Sequence, residues 1–196
     1  DFHDVSLDVA SAAAGAVSSA GLDNQAPPPL SLLSCLSSFT RAERLGSGCW
    51  CSQCNAPQDS SKQLSFQRLP NVLCFHLKRF KQSAVGKQAS KIDAFVEFPL
   101  QGLTMFPFTS AYVCSRGAAD AAESGEHVLP VAPEHLYDLF GVAVHHGNMQ
   151  NGHYTAFVRR GASWFRCDDA TVSLVAPSEV RSCKAYLLFY IRKVLV

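Results

Sequence analysis

What the chain lacks narrows its function before any motif is read. No apolar run approaches the roughly 20 residues that a membrane-spanning helix needs, and the N-terminus lacks the basic, apolar, small-residue order of a secretory leader. Neither sign of charge is in excess: 17 Lys and Arg face 16 Asp and Glu, for a formal net charge of +1. Such a chain has no overall field to hold a nucleic acid or an anionic membrane surface, so neither is expected as a partner. A dense disulfide framework is missing as well. The eight cysteines are spread over 196 residues and read as reduced thiols or metal ligands, which predicts a cytosolic or nuclear protein. An initiator methionine is absent. Asp1 stands in an alternating segment with Phe2, Val5, Leu7 and Val9 apolar, which predicts a piece of a longer protein.

The hydrophobic content is 47%, enough for one compact domain or a large part of one. Residues 1–9 read as a strand, and the Ala/Ser/Gly-rich stretch 10–29, closing on Pro27, Pro28 and Pro29, as a loop. From Ser31 the positions Leu32, Leu33, Cys35, Leu36 and Phe39 recur at helical spacing, with Gly46 and Gly48 as the expected stop. Two apolar stretches around Pro70 predict a hairpin-like pair, the second with Leu73, Phe75 and Leu77 alternating as in a strand. Ala94 to Leu100 is a further strand candidate. Residues 109–133, without period, predict a surface insertion. Tyr137–Val144, His153–Arg160, Trp164–Cys167 and Tyr186–Arg192 are short, aromatic and β-branched, which predicts a mainly antiparallel β C-terminal half.

Two positions carry the chemistry. His153 opens a predicted strand directly after Gly152, a residue that lets another backbone pass close by, so an extended peptide could reach the ring. Asp168 lies on the next strand, after a turn at Gly161, and two strands so joined can bring the carboxylate beside the imidazole. That is the base and orienter pair of nucleophilic catalysis. Cys51 and Cys54 form a C-x-x-C, half of a tetrahedral zinc site, with Cys49 as an extra thiol. Cys74 alternates with apolar residues and reads as a buried core thiol, not a nucleophile. The Lys78, Arg79 and Lys81 cluster reads as a solvated strand edge.

Taken in order, "LLSCLSSFTRAERL", "CSQC", "KQLSFQRLPNVLCFHLKRF", "VEFPL", "YDLFGVAVHHG", "NGHYTAF", "WFRCDDATV" and "AYLLFY" resemble the ubiquitin-specific proteases over nearly the whole chain. The resemblance implies an α+β papain-like fold, described as fingers, palm and thumb. Residues 1–100 would supply fingers and adjoining palm, 109–133 the insertion, and 134–196 the palm with the histidine box; the thumb would be missing. It implies His153 as catalytic base, Asp168 as its orienter with Asp169 assisting, and Gly152 and Tyr154 bordering the channel for the ubiquitin tail. The nucleophilic cysteine would lie upstream, in a box that does not occur here, so these residues alone are expected to be inactive. Cys51 and Cys54 would hold half of a structural zinc site, completed by an earlier C-x-x-C. Within the family, "FHDVSLDV" and the "CSQC" region look most like the deubiquitinase of the SAGA co-activator. That implies a nuclear protein acting on ubiquitinated histone with co-activator subunits as partners. The reading from another class is a non-catalytic ubiquitin-binding or assembly module.

Overall fold

The computed structural model describes residues 1–13, 29–81, 90–119, 132–148 and 151–194. Alternation of apolar residues dictates its main feature, a sheet. β1 (Phe2–Asp8) buries Val5 and Leu7 on one face, and β4 (Val72–Lys78) buries Leu73, Phe75 and Leu77 on the same face, paired in parallel register from Phe2↔Val72 to Asp8↔Lys78. The remaining partners are antiparallel: β12 (Ala185–Arg192) joins β4 to β8 (Leu136–Gly147), and then β9 (Gly152–Arg160), β10 (Ser163–Asp168) and β11 (Thr171–Val175) follow as neighbours. A two-residue β7 (Leu103–Thr104) pairs with β8, completing eight strands. The fold is thus α+β with a mainly antiparallel sheet, as the sequence predicts.

Helix α1 (Leu32–Phe39) covers the inner face, burying Leu32, Cys35 and Leu36. Ser31 begins it: its hydroxyl accepts from the Ser34 N–H at 3.1 Å while the Ser34 hydroxyl accepts from the Ser31 N–H at 2.9 Å, a reciprocal cap worth about 1 kcal/mol. The helix ends earlier than Gly46 and Gly48 would suggest. Thr40 caps it, its side chain donating to the Leu36 carbonyl, and both glycines lie inside β2 (Glu43–Cys51). β2 pairs only with β3 (Ala56–Lys62), a separate hairpin without a fully buried residue.

Other expectations need correction. Residues 64–70 are not half of a hairpin, because β4 finds its partners in β1 and β12, far away in the chain. Instead Phe66 bridges Thr109, and the Pro70 carbonyl accepts from buried Tyr137 at 2.5 Å. Ala94–Leu100 makes one bridge, Glu97 to Ser31, and otherwise buries Val96 and Phe98 without strand pairing. Part of the expected insertion is helix α2 (Ser110–Ala119), seated on a 3₁₀ turn at Phe106–Phe108 where Phe106 meets Tyr112 at 5.2 Å between ring centroids; residues 120–131 lie outside the described residues. Of the predicted loop 10–29, residues 9–13 are helical and 14–28 are likewise outside the description. β11 and a short α3 (Pro177–Ser182) were not expected from the sequence. Among the described residues, no helix is long and apolar enough to cross a membrane.

Candidate active site

β9 and β10 are built alike, apolar residues alternating with polar ones at period 2, so residues two apart share a face. Val144, Thr155, Phe157 and Trp164 are buried on the inner face. The same face carries His153, Arg166 and Asp168 at its open end, because Arg166 is opposite Phe157 and His153 opposite His146. The β9–β10 turn at Gly161, φ 60°, sets this register.

His153 and Asp168 meet. Nε2 of His153 lies 2.6 Å from Oδ1 of Asp168, and Arg166 donates to the other carboxylate oxygen at 3.1 Å. The bond to Asp168 raises the imidazole pKa above its ordinary value, Asp169 adding to it, and the same bond lowers the Asp168 carboxyl. With Nε2 engaged, Nδ1 is the ring nitrogen left to exchange a proton with a nucleophile. Asp169 occupies a two-residue turn between β10 and β11 at φ 50°, a left-handed conformation that Asp tolerates. Its carboxylate joins the pair, a ring nitrogen of His153 and a carboxylate oxygen each of Asp168 and Asp169 all lying within 4.8 Å of one another.

Gly152 does allow a close approach, but to a side chain, not to a backbone. A Cβ there would lie 2.1 Å from Nε2 of His145 and 2.9 Å from its Cε1. The His145 ring is boxed by Tyr154 at 4.8 Å, Phe80 at 5.4 Å and Tyr186 at 6.2 Å between centroids, and burial lowers its pKa. Tyr154 is on the outer face, opposite to His153, and is 55% exposed. Gly152 and Tyr154 therefore adjoin the histidine from the other side of the strand.

Three of the described cysteines are buried or half-buried thiols. Cys74 is buried in β4, and burial pushes its thiol to about 11; Cys183 is pushed to about 12 and Cys35, in α1, to about 11. Cys167 alternates with Arg166 and Asp168 and so belongs to the outer face. Cys51 behaves differently. At the tip of the β2–β3 hairpin, the nearby Cys54 and Gln53 backbone and the Cys54 thiol favour its thiolate and lower its pKa. A turn of this kind suits a thiolate metal ligand. It supplies two donors; among the described residues no third Cys, His, Asp or Glu gathers with Cys51 and Cys54.

The sequence reading missed Arg166 and His145. Arg166 was legible, since a residue two before Asp168 on a strand must share its face. His145 was not, because its packing on Gly152 depends on the pairing of β8 with β9.

The comparisons with known proteins decide the family. The profile described as ubiquitin carboxyl-terminal hydrolase matches residues 31–190. The chain belongs to the ubiquitin carboxyl-terminal hydrolase family. Ubiquitin carboxyl-terminal hydrolase 51 of Mus musculus is 43% identical over 180 residues, covering 90% of the chain and 26% of that protein. Ubiquitin carboxyl-terminal hydrolase 27 of Homo sapiens is 39% identical over 187 residues, covering 92% and 41%. Among solved structures, the SAGA Ubp8/Sgf11/Sus1/Sgf73 DUB module bound to ubiquitin aldehyde matches with a TM-score of 0.70 at 31% identity, over 100% of the chain and 36% of the solved one. The chain thus spans well under half the length of these hydrolases, and its likeness to the SAGA modules is the subgroup expected from the sequence.

Proposed function

We propose that these residues form the histidine-bearing part of a thiol-dependent ubiquitin hydrolase, with His153 as base and acid and Asp168 as its orienter. The 2.6 Å contact between His153 Nε2 and Asp168 Oδ1 carries this reading. It holds the ring in one tautomer, N–H toward the carboxylate, and leaves the Nδ1 lone pair for a thiol proton. The thiolate adds to the carbonyl of the C-terminal glycine of ubiquitin, forming a C–S bond. The tetrahedral intermediate collapses as the imidazolium protonates the departing lysine amine, leaving a thioester. His153 then takes a proton from water as it attacks, and the thiol is regenerated with free ubiquitin carboxylate. The burial of Cys35, Cys74 and Cys183, which disfavours their thiolates, and the outward face of Cys167 support a nucleophile and oxyanion donors supplied by a part of the family fold outside these 196 residues.

Gly152 and Tyr154, beside the histidine, border the ubiquitin tail in this reading. Cys51 and Cys54 hold half of a zinc site, where the ion acts as a structural staple for a hairpin that lacks a core of its own. The Ubp8 modules, solved with Sgf11, Sus1, Sgf73 and ubiquitin, support ubiquitin and co-activator subunits as partners here; ubiquitinated histone as substrate and the nucleus as location follow on the same resemblance. The test is turnover of a ubiquitin fluorogenic substrate by the full-length protein and its His153→Ala variant, with a ubiquitin-directed thiol probe. His153→Ala is expected to lose turnover nearly completely and probe capture only in part. A wild-type protein that binds ubiquitin without turnover would instead favour the non-catalytic module.

A further inference from the structure

Beyond Val144, β8 loses a neighbour. Its pairing with β12 ends at Ala185↔Val144, yet its pairing with β9 continues to Gly147↔Gly152. Carbonyls of alternate residues along a strand point to the same side, so those of His145 and Gly147 face the side that β12 has left, where an unmet carbonyl on the buried His145 would be costly. A side chain meets both. Lys91 Nζ donates to the His145 carbonyl at 2.9 Å and to the Gly147 carbonyl at 3.0 Å. We propose that Lys91 is a positioning residue for His153: its ammonium stands in for the missing strand and fixes the end of β8 at Gly147, which pairs with Gly152 at the start of the His153 strand.

Both ends of this link are anchored. Lys91 lies in β6 (Ser90–Lys91), paired with Phe80 of β5 (Phe80–Lys81). Next to it, Arg79 is buried, not on a solvated edge as its sequence cluster suggested, and its guanidinium donates to the carbonyls of Ile92 at 3.1 Å, Ala94 at 2.6 Å and Ala185 at 2.7 Å, which ties the platform to the start of β12. At the other end Gly147 has little room. Gly147 has φ 91°, and a Cβ there would lie 2.3 Å from the Asn151 carbonyl oxygen. The Asn148 N–H donates to that oxygen at 3.0 Å, and the Asn151 N–H donates to Asn148 Oδ1 at 2.9 Å. Gly152 then rests on the boxed His145 ring. A displacement of Gly147 thus has little slack before it reaches His153 and its bond to Asp168.

The inference rests on His153 being the base, and the experiment separates the two. In the full-length protein, Lys91→Met should lower kcat about 10- to 100-fold, as a misplacement near 1 Å would, with KM little changed, while Lys91→Arg restores most of it. Lys184, which pairs with Asp93 two residues from Lys91, provides the control: Lys184→Met should stay near wild type. The imidazole titration of His153, followed by NMR, discriminates further. Removing a cation by charge alone would raise that pKa; loosening the Asp168 bond lowers it, and a fall in Lys91→Met is expected. Wild-type kcat and titration in Lys91→Met, or an equal loss in Lys184→Met, would overturn the proposal. Should Lys91→Met fail to fold, the same readings on Lys91→Gln decide. Turnover retained in His153→Ala would overturn the underlying reading instead, whatever Lys91 does.

Discussion

Adding one methyl group at Gly152 should cost more activity than its size suggests. In Gly152→Ala the new Cβ would lie 2.1 Å from His145 Nε2, whereas carbon contacts relax only at about 3.5 Å. The shortfall is about 1.4 Å, and it must be met by the ring or by the strand. The ring has little room, with Phe80, Tyr154 and Tyr186 around it, so much of the shift falls on β9 next to His153. A displacement of that order is expected to lower kcat about 100-fold, with overpacking lowering stability by about 1–3 kcal/mol. Steady-state kinetics of the full-length protein on a ubiquitin fluorogenic substrate, with a parallel urea melt, measures both. Gly161→Ala is the reference. Its φ of 60° makes it destabilising too, but no atom lies within 4 Å of the added Cβ, so kcat should hold. His145→Ala, by removing the obstructing ring, should recover part of the loss in the double variant. Wild-type kcat in Gly152→Ala, or no recovery on removing the ring, would refute the steric argument.

Three further outcomes are expected. Asp168→Asn should move the His153 titration down toward the ordinary imidazole value of about 6.5 and lower kcat by about 10²- to 10⁴-fold, read by NMR and a pH–rate profile. The sign follows from the pair: the raised imidazole contributes until pH climbs through its raised pKa, and the lowered carboxyl until pH falls through its lowered one, so the ion pair is present between the two. Cys51→Ser in the full-length protein should lower bound zinc and melting temperature together, with unchanged zinc by metal analysis counting against a ligand role. Arg79→Met should destabilise by about 3 kcal/mol or more in a denaturant titration, because three carbonyls now bonded to the guanidinium would be left unmet.

How far the sequence carries can be argued from single strands. In β4 the alternation of Leu73, Phe75 and Leu77 named the buried face correctly, since local period and long-range cover agree there. In β11 they disagree. Thr171, Val172, Ser173 and Leu174 alternate as a strand should, but β11 is the sheet's edge, and Val172 and Leu174 are 63% and 70% exposed. Burial supplied no signal, and only pairing with β10 makes it a strand. The stretch around Pro70 fails for the opposite reason: two apolar runs close in sequence suggested each other as partners, while β4 pairs with strands whose contacts are set by topology.

The site divides along the same line. His153, Asp168 and Arg166 obey period 2 on consecutive strands joined by one turn, a relation that local sequence contains. Lys91 and His145 reach the site through β6 and β8, elements separated from each other by more than 40 residues. Their importance arises where β12 stops pairing with β8, at Val144, and a strand's end is a property of two segments at once. Residues proposed to bear the chemistry can therefore be read from one strand pair, whereas residues proposed to hold it in place become visible only once the sheet order is known. The Lys91→Met loss tests that division directly, because Lys91 is not asked to touch the substrate and should act on kcat through His153, whereas Gly152 also borders the tail and Gly152→Ala is separated from it by the recovery that His145→Ala should bring.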